Sequence, residues 1–479
     1  MRLDFEQIMN NKLLKAALFL FWGMVIALFI MASIKYAGQW HVYLLFSAVS
    51  NLLLYFGFRK KAIFFDTFIG IFFWLGFWLK LTIRVAFSGG LFNQAVGYFD
   101  GSGAAFDKAL LVASCGLSGF LLASFLRDKV FFHYPEKIEG IQHKGLFEFY
   151  RHYRKTIWIL FIAMFVFVGV TNAYLGIYQR GSITRTILPF GLNGVYKWLL
   201  LFGLASISAV ILRFEFELGK KTSWTVVILS LLESFVTNIS LLSRGMILNV
   251  GALLYGISKC IKINSISLKF GHLMITLIVL PLFFIGSVYF VNYLRADKFN
   301  DFQTEQEVVQ EMHASTTPLF IDRWVGIEGV MAVSSYPQLG WELWRQALNE
   351  VYDENQTSFY DNSFIVSSYV KTDKSKHHFI SLPGVIAFAY YPGSFSFLFL
   401  GMFFLGGVAA FFEYATYKLG GMNVILCALL AQVIAFRFAS FGYVPRQSYL
   451  LFGTIFLNLT IIYLADKVFL RFSKKRAGD

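Results

Sequence analysis

The feature that most constrains this chain is a series of continuous apolar runs, each close to the roughly 20 residues an α-helix needs to cross a bilayer core. The first runs from Leu13 to Ile34. It lacks the small-residue cleavage site of a signal peptide and reads as a first span. Barrel strands would alternate polar and apolar residues, and these runs do not. With 57% of its 479 residues apolar and 15% charged, the chain could not cover its apolar surface in water, so much of that surface faces lipid.

Threading the runs predicts an all-α integral membrane protein of about 12 spans. They fall near 14–34, 40–58, 62–87, 105–126, 156–176, 195–213, 222–242, 244–261, 270–292, 381–414, 422–441 and 448–467. With the N-terminus inside, the inward connections carry Arg59, Lys60, Lys61, Arg127, Lys129, Lys220, Lys221, Lys262 and Lys269, and the tail carries Arg471, Lys474, Lys475 and Arg476. This positive-inside bias accounts for the net charge of +14 without a nucleic-acid partner. It predicts a multi-pass protein of the bacterial inner membrane with both termini cytoplasmic. The basic, aromatic-rich stretch 127–155 reads as an amphipathic segment on the cytoplasmic leaflet.

One connection is long. Residues 293–380 form a polar loop richer in Asp and Glu than in Lys and Arg, which fits the outer face. Apolar residues recur at three- and four-residue spacing near 304–313, 324–334 and 340–352, predicting short helices in a periplasmic cap. The chain re-enters the membrane at Leu382-Pro383-Gly384, and Tyr391-Pro392-Gly393 interrupts the next run. A short broken helix over 383–391 follows, of the kind tolerated where freed backbone lines a cavity. The domains are therefore 1–292 (nine spans), 293–380 (cap) and 381–479 (re-entrant segment, three spans and basic tail).

Cations placed toward the outer ends of spans carry the functional signal. Lys80 and Arg84 share one face of the third span, Arg244 opens the eighth, Arg437 lies late in the eleventh, and Arg446 follows it. Any one of them can snorkel to a headgroup or pair with an acid such as Glu233. Together they call for an anion anchored in lipid, and a pyrophosphate fits, because guanidinium groups grip phosphate oxygens in bidentate fashion. Arg180 and Arg185 in the 176–194 loop are weaker candidates, since a polar loop solvates them. Arg323 and Glu328 in the loop, with His377 and His378 at its return to the membrane, supply further phosphate contacts, a base and a proton carrier. Read singly, Asp322-Arg323 is a surface ion pair and the His pair a headgroup contact.

Other chemistries find no support. No GxxxxGK[ST], HExxH, EF-hand or GxSxG pattern occurs. Cys115, Cys260 and Cys427 lie in or at the end of apolar runs without CxxC spacing and read as packing residues. No cofactor or metal is expected.

The Trp74-Leu75-Gly76-Phe77-Trp78-Leu79-Lys80 run, the Gly97-Tyr98-Phe99-Asp100 loop, Leu242-Ser243-Arg244-Gly245, Arg323-Trp324-Val325-Gly326-Ile327-Glu328-Gly329 and Leu382-Pro383-Gly384 together resemble the Wzy-type O-antigen or oligosaccharide repeat unit polymerases. The resemblance covers the whole chain, including the topology with one dominant late periplasmic loop. It implies a metal-independent membrane glycosyltransferase of the C-type fold, acting on undecaprenyl-pyrophosphate-linked oligosaccharide among membrane lipids, with a chain-length regulator protein as a further partner. The essential periplasmic arginines of the family would map onto Arg244 and Arg323, with Arg437 and Arg446 less securely placed. The arginine-and-spaced-glycine signature of some members is not matched, which leaves the subfamily open. Two rivals stand beside this reading. One is an O-antigen ligase passing the glycan to lipid A core, for which His377 or His378 would be catalytic. The other is a lipid-linked oligosaccharide flippase, although no internal repeat of the kind transporters show is visible.

Overall fold

Inside lipid a backbone has no water to bond with, so each apolar run closes its hydrogen bonds within a helix. The computed structural model describes residues 2–3, 12–137, 140–219, 224–243, 245, 247–263, 268–269, 282, 285–295, 319–322, 324–371 and 378–476. The first eight helices are α1 (Lys12–Lys35), α2 (Trp40–Phe58), α3 (Phe64–Ser88), α4 (Gly103–Val130), α5 (Lys144–Leu175), α6 (Pro189–Gly219), α7 (Trp224–Ser240) and α8 (Ile247–Ile263). Two short helices, α9 (Ile327–Ser334) and α10 (Trp341–Leu348), belong to the long loop. The chain ends with α11 (Val385–Ala389), α12 (Phe395–Leu419), α13 (Val424–Ala439) and α14 (Ser448–Arg476).

Among the described residues seven helices, α2 to α6 with α12 and α14, are long and apolar enough to cross a membrane, while α13 and the apolar part of α1, Phe19–Lys35, are shorter. Apart from a short antiparallel pairing of Arg2–Leu3 with Leu268–Lys269, the regular structure among the described residues is helical, and by length and composition of its helices the protein is a multi-pass membrane protein. Helices α7 and α8 stand where spans seven and eight are expected, at 17 residues each. Of the expected span 270–292, only 282 and 285–292 are described, and they are helical. The expected loop helix at 304–313 lies outside the described residues. The run beginning at 381 divides into α11 and α12, separated by the turn through Tyr391-Pro392-Gly393.

The basic stretch 127–155, expected as an amphipathic segment on the cytoplasmic leaflet, comprises the end of α4, an irregular segment, and the first turns of α5, which runs on from Lys144 into the span with a kink at Tyr153 (φ −107°, ψ 25°). Its charges are partly paired, since Arg154 Nε lies 2.5 Å from Glu215 Oε1 and Arg151 lies 2.5 Å from Glu148.

Alternation of the helices gathers their ends at two levels. At one end Lys35 Nζ donates to Ala86 O (2.6 Å) and Tyr36 donates to Asp107 (2.9 Å), beneath the long loop. At the other, Arg127 pairs with Asp66 (2.8 Å), and both oxygens of the buried Glu413 on α12 accept the first backbone N–H groups of α3, from Phe64 and Phe65, at 2.8 Å. Those N–H groups have no partner within their own helix, so a distant carboxylate caps α3.

Helix α13 is buried along nearly all its length and forms the central post. Phe438 and Phe436 meet Phe65 and Phe72 of α3 edge-on, and Asn423 donates to Ala209 O of α6 (3.0 Å). A second apolar cluster, around Phe161, Phe165, Leu204 and Ile211, joins α5 to α6.

Candidate functional site: a cavity beneath the long loop

The site begins with the way the long loop is held. A π-turn at Trp74–Leu79 in α3 presents Gly76 to the loop so closely that its backbone and that of Gly326 touch, and a Cβ on either would strike the other strand. One turn on, Lys80 is fully buried and donates to Asp322 O (3.0 Å), Trp324 O (2.6 Å) and Glu328 Oε1 (2.7 Å). An ammonium has three donors, and all three are engaged here. Arg84 grips both oxygens of Asp322 (2.6 and 2.5 Å). Burial drives the Glu328 carboxyl upward and the charge of Lys80 pulls it back, leaving it above its usual range.

This clamp sets Trp324 and Val325 as one wall of a cavity of about 900 Å³. Trp324 stacks on Phe72 of α3 (6.0 Å between centroids, 26°). Opposite it stand the loop Tyr178–Thr184 and the start of α6 with Lys197 and Trp198. Gly245, Ile247 and Leu248 add the start of α8; the floor and far side come from Gln432, Val433, Phe436 and Arg437 of α13 with Leu450, Leu451 and Thr454 of α14. Helix α14 meets α5 near its far end, where Phe469 stacks on Phe149 at 4.0 Å. At its near end it faces the cavity instead, and the wall is exposed at Gly194, Lys197 and Leu450. Among the described residues the space therefore has a polar mouth, an apolar body and a flank open between α6 and α14, the shape that takes an amphiphile.

Among the described residues three cations line it. Arg437 donates from Nη2 to Tyr443 O (3.3 Å) and Ser448 Oγ (3.1 Å), with its guanidinium 5.5 Å from the Phe441 ring. Lys197 lies over Tyr178 at 5.0 Å. Arg180 is fixed through its backbone, donating to Leu241 O (2.9 Å). None of the three pairs with a carboxylate among the described residues. A positive charge held in a partly buried site without an acid invites an anionic ligand.

At the mouth, His378 Nδ1 lies 3.1 Å from Glu354 O and Nε2 lies 3.3 Å from the Tyr443 hydroxyl, while its backbone N–H donates to Gly181 O (3.2 Å). Glu354 accepts from Thr184 N (3.0 Å), Thr184 Oγ1 (2.7 Å) and Tyr352 OH (2.9 Å). Burial acts to raise the Glu354 carboxyl, and those hydrogen bonds together with the nearby His378 outweigh it, so it sits below its ordinary value. Burial holds the Tyr443 phenol up at about 12, with the neighbouring carboxylates acting in the same direction. The tether joins the Tyr178–Thr184 loop to the long loop across the mouth.

Of the residues expected to form the site, Arg180, Arg437 and His378 line the cavity. Lys80, Arg84 and Glu328 do not: they are tied to one another through the clamp, and the expectation that Lys80 and Arg84 hold phosphate, or that Glu328 acts as base, is corrected to a role in fastening the loop. Arg446 is exposed and outside the lining. Arg244, Arg323 and His377 lie outside the described residues, although their neighbours Gly245, Trp324 and His378 line the cavity. Sequence reasoning passed over Lys197 and Gln432, which carried the signal used elsewhere, a polar group within an apolar run. It also passed over Glu354 and Tyr443, which only the meeting of distant loops brings together.

The fold and cavity thus define a polytopic helical membrane protein with a cation-lined pocket beneath a loop cap. No family model, curated protein or solved structure matches the chain.

Proposed function

We propose that this chain is a membrane glycosyltransferase that polymerises lipid-linked oligosaccharide repeat units. It takes the growing glycan from undecaprenyl pyrophosphate and passes it to the terminal sugar of an incoming lipid-linked unit, at the periplasmic face of the inner membrane. The observation that carries this reading is Arg437, a cation on the wall of an amphiphile-shaped cavity whose partners are neutral oxygens. The family resemblance noted in the sequence points the same way.

In such a transfer the bond from the anomeric carbon to the pyrophosphate oxygen breaks, a bond to the acceptor hydroxyl oxygen forms, and the hydroxyl proton passes to a base. Charge grows on the departing pyrophosphate, so fixed cations stabilise the transition state more than the ground state. Arg437, Arg180 and Lys197 take that role here, with Arg244 and Arg323 assigned to it by the resemblance. His378, oriented by Glu354 O and Tyr443 at the mouth, takes the proton. The polyprenyl tail leaves through the flank between α6 and α14.

The test is an in vitro assay of purified protein with lipid-linked repeat units isolated from the producing cell. Wild type forms a ladder of products on undecaprenyl pyrophosphate, and Arg437→Ala, Arg244→Ala and Arg323→Ala each lose it. An undiminished ladder from any of these variants at equal expression removes that residue from the proposal. The cavity-lining His378 also suits a ligase, and glycan appearing on lipid A core instead of the lipid pyrophosphate would mark that activity.

A further inference from the structure

The cavity contains polar atoms that the reading above leaves unused. Gln432 is 3% exposed, lines the cavity, and its Oε1 has no hydrogen-bond partner among the described residues. Trp198 lines the same cavity, and its indole Nε1 is buried and also without a partner among the described residues. A buried donor or acceptor left unpaired costs on the order of 1–3 kcal/mol. Such atoms persist where a ligand completes them.

The character of this pair sets it apart from the cations. Gln432 lies five residues before Arg437, about 7 Å further down α13. Around it stand Val433, Phe436 and Phe202. Both unpartnered groups are uncharged, one a donor and one an acceptor. A phosphate is better held by the cations nearer the mouth. A neutral ring with several hydroxyls, lying against an indole and exchanging one hydrogen bond in each direction, suits what remains.

The backbone is shaped to present the indole. A π-turn at Leu199–Gly203 follows Trp198 directly, a distortion that recurs at functional sites. Asn249 Nδ2 braces it by donating to Leu201 O (3.0 Å). Gly203 makes room, since a Cβ there would stand 3.0 Å from Trp198 Cε2.

We infer that Trp198 and Gln432 form a saccharide subsite, taking a neutral sugar ring of the lipid-linked glycan beside the cations. This rests on reading the cavity as a lipid-diphosphate site. The test uses the full chain in nanodiscs and compares two kinds of probe, farnesyl diphosphate and farnesyl diphosphate bearing glucose, galactose or N-acetylglucosamine. Wild type holds at least one sugar-bearing probe about tenfold more tightly than the bare diphosphate. In Gln432→Leu and, independently, in Trp198→Phe, which keeps an aromatic ring and removes the N–H, that ratio falls toward one. Arg437→Ala weakens both kinds of probe and preserves the ratio. A ratio near one in wild type for all three sugars, or an unchanged ratio in both variants, overturns the subsite alone. Failure of wild type to bind either kind of probe overturns the lipid-diphosphate reading, and the subsite with it.

Discussion

The ammonium of Lys80 on α3 and the carboxylate of Glu328 in the long loop lie 2.7 Å apart with side chains 0% and 4% exposed. Together with the two carbonyls that Lys80 also reaches, this pair fastens the loop to the transmembrane helices. Removing one partner leaves the other as an isolated buried charge, which costs about 3–5 kcal/mol. Lys80→Ala and Glu328→Ala are each expected to lower the thermal unfolding temperature in detergent sharply. The double change Lys80→Met with Glu328→Leu should recover much of the loss, because it leaves no orphan charge. Equal stability of the single variants and wild type would contradict the clamp.

His378 is expected to act on the acceptor. Replacing a general base reduces turnover by about 10²–10⁴-fold, so His378→Ala should abolish ladder formation while leaving lipid-diphosphate binding nearly intact. Tyr443→Phe, which removes only the hydroxyl 3.3 Å from Nε2, should lose far less. A His378→Ala enzyme that polymerises at the wild-type rate would take His378 out of the chemistry.

The tether across the mouth predicts a dependence on acid. The Glu354 carboxyl lies below its ordinary value of 4.5 in the folded chain, so the fold favours its ionised form. That contribution is complete above about 4.5 and is lost as pH falls through the lowered value. Amide exchange in residues 178–184, corrected for intrinsic rates, should therefore show constant protection from neutral pH down to the carboxylate range and falling protection below it. Glu354→Gln should lack this transition. Protection that falls identically in both would mean that Glu354 does not hold the loop.

Glu413 makes a prediction at the opposite end. It is 1% exposed and accepts from Phe64 N, Phe65 N and the Tyr134 hydroxyl. Loss of a cap built on charge-assisted hydrogen bonds costs about 2 kcal/mol or more, so Glu413→Ala should unfold at lower temperature and expose the start of α3 to exchange. An unaltered unfolding temperature would argue against the cap.

Much of the helical scaffold was legible because a span in lipid depends on local composition alone: α2, α3, α4 and α12 follow apolar runs that need no partner to be recognised. The break before α12 was legible for the same reason, since Pro392 and Gly393 interrupt a run too long for one span. The clamp was not, because the spacing of Lys80 and Arg84 on one helix face says nothing of the acids 248 and 238 residues away that neutralise them. A cation in an apolar run signals a buried charge, and only the fold tells whether a carboxylate or a ligand meets it. Arg437 and Lys80 carried the same signal and met different fates. The mouth of the cavity was hidden too, because Thr184, Glu354, His378 and Tyr443 come from four separate segments.

The central claim is that a polyprenyl diphosphate occupies the cavity with its phosphates at the cations and its tail in the flank between α6 and α14. The most direct measurement is photo-crosslinking with an undecaprenyl pyrophosphate that carries a diazirine in its first isoprene unit, followed by peptide mapping. Labelling should concentrate on Leu450, Leu451 and Thr454 of α14, compete with unlabelled undecaprenyl pyrophosphate, and fall away in Arg437→Ala. Labelling spread over lipid-facing residues such as Phe404, Phe411 and Leu457, with no competition and no effect of Arg437, would contradict the account.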